Sequence, residues 1–158
     1  MEQQKDKINF LKINSEYCMS CRNCELACSK RQFEKDDKKT RKEVKKRIFI
    51  TNKDKTKVPV QCRQCDNDYC RQVCPVGALK RENEVVTLDE DKCIGCEMCV
   101  QACPYGVITM KEVKSREKMV ANKCDLCMAE QLNGENPACF NACPTKAIKL
   151  VSREERTL

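Results

Sequence analysis

Histidine and tryptophan are missing from the 158 residues, and aromatic residues make up only 4% of them. Each absence excludes something. Without histidine no side chain has an ordinary pKa near neutrality for acid–base work, and neither a zinc finger with histidine ligands nor a Rieske centre can be assembled. No G-x-G-x-x-G and no phosphate loop occurs, so a nicotinamide, flavin or nucleotide has no recognisable cradle. No apolar run approaches the roughly 20 residues that span a bilayer; no membrane span is expected, which leaves peripheral association open. Residues 1–7 lead into no apolar signal segment and carry no twin arginine. A cytoplasmic location follows as the expectation, and there thiols stay reduced rather than forming a disulfide scaffold.

What the chain has instead is sulfur: 16 cysteines, about a tenth of its residues. With so little aromatic surface to bury, bound metal is expected to replace much of the core, and the metal-free chain to fold poorly. The cysteines form four quartets: Cys18, Cys21, Cys24, Cys28; Cys62, Cys65, Cys70, Cys74; Cys93, Cys96, Cys99, Cys103; and Cys124, Cys127, Cys139, Cys143. None is left over as a separate catalytic thiol, and no catalytic residue is expected.

The third quartet is the clearest. Cys93-Ile94-Gly95-Cys96-Glu97-Met98-Cys99-Val100-Gln101-Ala102-Cys103-Pro104 is the C-x2-C-x2-C-x3-C-P run of bacterial ferredoxins. Three thiolates at two-residue intervals can wrap one face of an iron–sulfur cube, while the fourth is carried to a neighbouring cube. The proline then ends the turn, having no N–H and forcing its predecessor into extended backbone. The first quartet has the same spacing but is followed by Ser29; the second has four residues between Cys65 and Cys70, and the fourth has 11 between Cys127 and Cys139.

The repeat extends beyond the ligands. Segments 74–80, 103–109 and 143–149 align without gaps, each beginning Cys-Pro and each predicted to turn into a short strand. Strands are expected near 8–13, 48–50, 58–60, 78–81, 85–88, 107–110, 118–121 and 147–151, with a turn at Glu82-Asn83-Glu84 and a short helix at 125–132 stopped by Asn133-Gly134. Residues 30–57 differ in kind, with 13 Lys/Arg against 5 Asp/Glu, leaving 18 against 19 elsewhere. They read as a basic insertion, a solvated loop or surface helix, alternatively a dock for an acidic protein. With no aromatic stacking surface or reader motif, no nucleic acid is expected. Glu25, Glu97 and Asp125 read as solvated charges beside the ligands, and Tyr17, Tyr69 and Tyr105 as packing residues.

If motifs exchange their fourth cysteine in pairs, the quartets can pair in order or nested. Nesting fits better, because a short hairpin separates the second and third quartets whereas the basic insertion separates the first and second. The fold class expected is therefore α+β: two nested two-cluster ferredoxin modules with short strands and helices, the outer spanning 1–57 and 104–158, the inner 58–103. The inner sites would be Cys62, Cys65, Cys70, Cys103 and Cys74, Cys93, Cys96, Cys99. The outer sites would be Cys18, Cys21, Cys24, Cys143 and Cys28, Cys124, Cys127, Cys139. Every position being cysteine, four 4Fe–4S clusters are expected.

By these quartets, including the Cys65–Cys70 spacing and the long gap before Cys139-x3-Cys143-Pro144, the sequence resembles the four-cluster iron–sulfur subunits of DMSO reductase, formate dehydrogenase, formate hydrogenlyase, carbon monoxide dehydrogenase and tungsten aldehyde oxidoreductase complexes. The resemblance covers about residues 8–151 and implies the same nested pairing. It implies an electron-transfer subunit between a catalytic oxidoreductase subunit and a second redox protein, with no small-molecule substrate and no enzymatic chemistry of its own. The alternative is a free polyferredoxin shuttling between enzymes. Four-thiolate zinc sites are the competing metal reading, but zinc modules show separated C-x2-C pairs rather than triplets.

Overall fold

The computed structural model describes residues 8–35, 45–53, 56–113 and 117–157. They fold into short strands and helices, an α+β arrangement of four two-stranded antiparallel ribbons. Strand β1 (Phe10–Ile13) does not pair with its neighbour in sequence. It pairs with the last strand, β8 (Ile148–Val151), with Phe10 opposite Val151 and Ile13 opposite Ile148. The two ends of the described chain thus close on each other.

The other ribbons are local hairpins: β2 (Ile48–Lys53) with β3 (Thr56–Gln61), β4 (Leu79–Glu82) with β5 (Val85–Leu88), and β6 (Thr109–Val113) with β7 (Lys118–Asn122). In β3, Pro59 stands opposite Ile50, a pairing that a two-stranded ribbon tolerates because the missing N–H is not needed by a further strand. The Ile50 N–H turns instead to Glu25 Oε1 at 2.7 Å. The β4–β5 turn is the two-residue type in which both central residues need positive φ: Asn83 and Glu84 adopt 45° and 66°.

The three Cys-Pro repeats fold alike. Gly77, Gly106 and Lys146 all take positive φ, at 60°, 60° and 55°, and each donates its N–H to the carbonyl of its own quartet's last cysteine, Cys74, Cys103 or Cys143. Behind each turn a buried pair follows, Ala78-Leu79, Val107-Ile108 and Ala147-Ile148. After Cys28, where no proline stands, there is no such turn: helix α1 runs from Asn23 through Cys28 to Lys35. The helices of the other quartets, α2 (Tyr69–Gln72), α3 (Met98–Ala102), α4 (Met128–Leu132) and α5 (Ala138–Asn141), have four or five residues each. Helix α4 starts later than the sequence suggests because Leu126 and Cys127 are left-handed, at 54° and 52°.

Two apolar cores result. One gathers Phe10, Leu11, Ile48, Val85, Leu126 and Ile148 with Cys24 and Cys139; the other gathers Leu79, Val86, Ile108, Val120 and Ala121 with Cys93 and Cys99. Strand β5 stands between them, since successive side chains point to opposite faces: Val85 enters the first core and Val86 the second. Helix α1 packs on α5 and α2 on α3. The β6–β7 hairpin, sequence-wise beyond Cys103, contributes Val120 and Ala121 to the core that holds Cys93 and Cys99. Of the basic segment, residues 36–44 and 54–55 lie outside the described residues. In the remainder Arg31 and Arg47 are buried against Asp125, whereas Lys30, Glu34 and Lys35 are exposed, the solvated helix surface that the charge suggests.

Candidate metal centres

All 16 cysteines are free thiols. Local backbone geometry turns each short loop inward. Ser20, Gln64, Gly95 and Leu126, each one residue before the second cysteine of its quartet, have φ of 59°, 51°, 72° and 54°. Left-handed residues in such loops aim successive N–H groups at one point, forming the concavities that receive anions and iron–sulfur groups. Backbone N–H groups meet thiol sulfur, among them Arg47 to Cys28 at 3.2 Å, Ala78 to Cys74 at 3.3 Å, Leu126 to Cys124 at 3.4 Å, and Gln64 to Cys62 and Ala121 to Cys93 at 3.5 Å.

Cys62, Cys65, Cys70 and Cys103 line one space of about 380 Å³, partly open to solvent. Cys74, Cys93, Cys96 and Cys99 line another of about 330 Å³. Cys24 is close enough to Cys21 and Cys143 to feel their charge, and Cys139 interacts in the same way with Cys127, Cys28 and Cys24. Cys124 lies within reach of Cys28 and Cys139 on one side and of Cys62 on the other. Cys18 lies one turn before Cys21, where its N–H closes a turn on the Ser15 carbonyl. Among the described residues no three Cys, Asp or Glu converge as they would about a single ion; the thiols of the second and third quartets stand around spaces. That arrangement, with N–H groups directed at sulfur, fits an inorganic cube with a thiolate at each iron.

Burial raises the thiols of Cys24, Cys70 and Cys127 to about 11 and pushes Cys124 and Cys139 well above the ordinary value. Such thiols are protonated at neutral pH, so metal entry must release protons. Cys74 and Cys143 go the other way. Burial would raise them, but the N–H groups of Leu79, Ala78, Val76 and Gly77 outweigh it at Cys74, and those of Ile148, Ala147 and Thr145, with the Thr145 hydroxyl, outweigh it at Cys143. At Cys74 and Cys143 the Cys-Pro turn therefore does chemical work besides changing the chain's direction: it stabilises the thiolate that precedes it.

Two of the three acids expected to be solvated are not. Glu25 is buried and accepts from the Ile50 N–H and from Lys46 Nζ at 2.9 Å. Asp125 pairs with Arg31 and Arg47; Glu97 is exposed as expected. Tyr17, Tyr69 and Tyr105 are about half exposed rather than packed inside. Sequence reasoning missed Gln64 and Lys123, both buried beside the second quartet. The only signal for them was adjacency to a cysteine loop.

A 4Fe-4S dicluster domain matches residues 53–153, and a 4Fe-4S binding domain matches residues 15–31. An iron–sulfur protein of Rhodospirillum rubrum is 39% identical over 150 residues, covering 87% of this chain and 79% of that protein. The electron transport protein HydN of Escherichia coli (strain K12) is 35% identical, with coverages of 92% and 89%. UacF of the same organism, provisionally named an oxidoreductase, is 36% identical across 90% of this chain, which spans only 21% of UacF.

Proposed function

The chain belongs to the 4Fe-4S dicluster-domain family and is an electron-transfer iron–sulfur protein, and from that premise we propose that it is a relay subunit with four 4Fe–4S sites. Its partners in this reading are a catalytic oxidoreductase subunit, of the formate, carbon monoxide, hydrogen or aldehyde type, and a second redox protein. The ligands are the four sets given by nested pairing. Bound clusters would supply reversible one-electron chemistry, with potentials tuned by hydrogen bonds to sulfur, local charge and exposure. The observation that carries the reading is the gathering of thiols from different quartets about shared spaces, Cys103 with Cys62, Cys65 and Cys70 at one and Cys74 with Cys93, Cys96 and Cys99 at the other. The nested modules draw support from the β1–β8 pairing and from the packing of α1 on α5 and α2 on α3. The presence of Val120 and Ala121 in the core that holds Cys93 and Cys99 supports counting the β6–β7 hairpin with the inner module rather than the outer one.

The two outermost groups carry the exposed thiols, Cys21 and Cys96. Exposed apolar side chains accompany both, Tyr17, Met19 and Leu26 near Cys21 in the chain, and Ile94 and Met98 near Cys96, where Met119 meets Gly95. Such patches suit protein contact, and they make these ends the natural entry and exit. The match to a fifth of UacF suggests a module that also serves inside longer chains. The second reading is a free polyferredoxin shuttling electrons between enzymes. Co-purification with a large catalytic chain separates the two.

Replacing Cys96 by Ser in the intact assembly is expected to lower iron and acid-labile sulfide, remove one EPR signal and stop electron delivery. The partner's catalytic centre should still react with an artificial carrier. Undiminished delivery by this variant would count against the relay. Anaerobic material holding stoichiometric zinc and hardly any iron would overturn the cofactor reading altogether.

A further inference from the structure

Most charged residues buried in this protein have an opposite charge beside them. Arg31 and Arg47 reach Asp125, Glu25 has Lys46, and Asp68 has Arg71 and Arg81. Lys123 is different. It is 3% exposed, and its Nζ donates to the Val86 carbonyl at 2.6 Å, the Cys124 carbonyl at 3.1 Å and Gln64 Oε1 at 3.3 Å. Gln64, 1% exposed, is fixed by accepting from the Val86 N–H and donating to the Cys124 carbonyl, both at 2.9 Å. An ammonium has three N–H groups, and here three neutral oxygens take them. Its hydrogen bonding is complete while its charge is not balanced by these partners, and an unbalanced buried charge costs several kcal/mol.

The missing negative charge has an obvious location. Lys123 lines the same space as Cys62, Cys65, Cys70 and Cys103, and its charge acts on the Cys70 sulfur. We propose that Lys123 is a potential-setting residue for the iron–sulfur site of Cys62, Cys65, Cys70 and Cys103, acting as a fixed cation in the wall between that site and Cys124. The proposal rests on the iron–sulfur reading above. A site of four thiolates is net negative and gains one further negative charge when it takes an electron from a donor. A fixed cation in a low-dielectric wall stabilises the reduced form more than the oxidised form. Because its N–H groups are occupied by oxygen, Lys123 acts through space and not as a donor to sulfur. The site that Lys123 lines thereby holds an electron more readily than it would without that charge.

The test uses the full chain, reconstituted anaerobically with iron and sulfide and titrated with dithionite under EPR detection. Lys123→Met should keep the wild-type iron content. One signal, the same one altered in Cys70→Ser, should move to lower potential by at least a tenfold change in its reduction equilibrium, about 59 mV for one electron. Lys123→Arg, which keeps the charge, should restore most of the difference. Full iron with no shift, or an equal shift of every signal, overturns the proposal. If Lys123→Met does not hold iron, Gln64→Glu decides the matter: it sets a carboxylate against Nζ, so the same signal must fall in potential, and an unmoved signal overturns the proposal. Wild-type protein that takes up no iron would overturn the underlying reading instead, a result distinguishable from both.

Discussion

The first and third quartets have identical cysteine spacing and end differently. Cys103 is followed by Pro104, and α3 stops after five residues at Ala102. Cys28 is followed by Ser29, and α1 continues to Lys35, 13 residues long in all. Proline cannot supply the N–H that another turn of helix needs and forbids helical backbone before it. One residue therefore decides whether the fourth thiol is followed by a tight turn, closed by the Gly106 N–H on the Cys103 carbonyl, or by a helix. The helix puts other residues to use. It carries Arg31 across to Asp125 and Glu130, joining the first quartet to the fourth.

The sharpest way to break this contrast is to erase it. Ser29→Pro should end α1 near Cys28, remove the backbone bond that Ser29 makes within the helix and detach Arg31 from its acids. The expected cost is about 3 kcal/mol or more, read as a lowered melting temperature with loss of helical circular dichroism. If the variant melts with wild type, α1 contributes nothing beyond Cys28 and the contrast has no energetic content.

A second contrast lies inside the loops. Ser20 and Gly95 occupy equivalent positions, both left-handed at 59° and 72°. Yet a Cβ at Gly95 would stand 2.5 Å from the Met119 carbonyl oxygen, which belongs to β7 and cannot give way cheaply. Gly95→Ser should therefore cost about 2 kcal/mol, from overpacking and left-handed strain together. The reciprocal Ser20→Gly should be neutral or slightly stabilising, because it relieves the same strain without a clash. Equal effects in thermal melts of the two variants would mean that the β6–β7 hairpin does not hold the third quartet closely.

How much of this the sequence disclosed follows from where each cause sits. The Cys-Pro turns, the Asn83-Glu84 hairpin and the β2–β3 ribbon rest on local chemistry and stand where expected, although β2 runs three residues past its expected end to Lys53. The length of α1 was illegible because its buried positions are Cys24, Glu25 and Arg31, which present no apolar stripe to read. Arg31 is buried only because Asp125 and Glu130, nearly a hundred residues later, receive it. The same holds for Lys123, whose carbonyl partner Val86 lies 37 residues away. Thiol spacing announces which metal chemistry to expect, whereas the charges that surround it are set by packing between distant segments.

The mildest perturbation tests that long-range clasp by pH. Arg31 forks onto Glu130, with Nε 2.6 Å from Oε1 and Nη2 2.7 Å from Oε2, and Lys35 Nζ lies 2.8 Å from Oε1. Burial alone would raise the Glu130 carboxyl, but the two cations outweigh it and hold the group at about 2. The folded value is thus below the unfolded one of about 4.3, so the carboxylate's contribution is complete above that pH and is lost as pH falls towards 2. Discounted for partial exposure, it amounts to ~1 kcal/mol. Loss of the iron–sulfur absorbance should be slower in wild type than in Glu130→Gln at pH 6, and the advantage should shrink steadily below pH 4.5. An advantage independent of pH across that window would mean that Glu130 acts by packing and not by charge. The third quartet, whose short helix reaches no such acid, would then differ from the first in length alone.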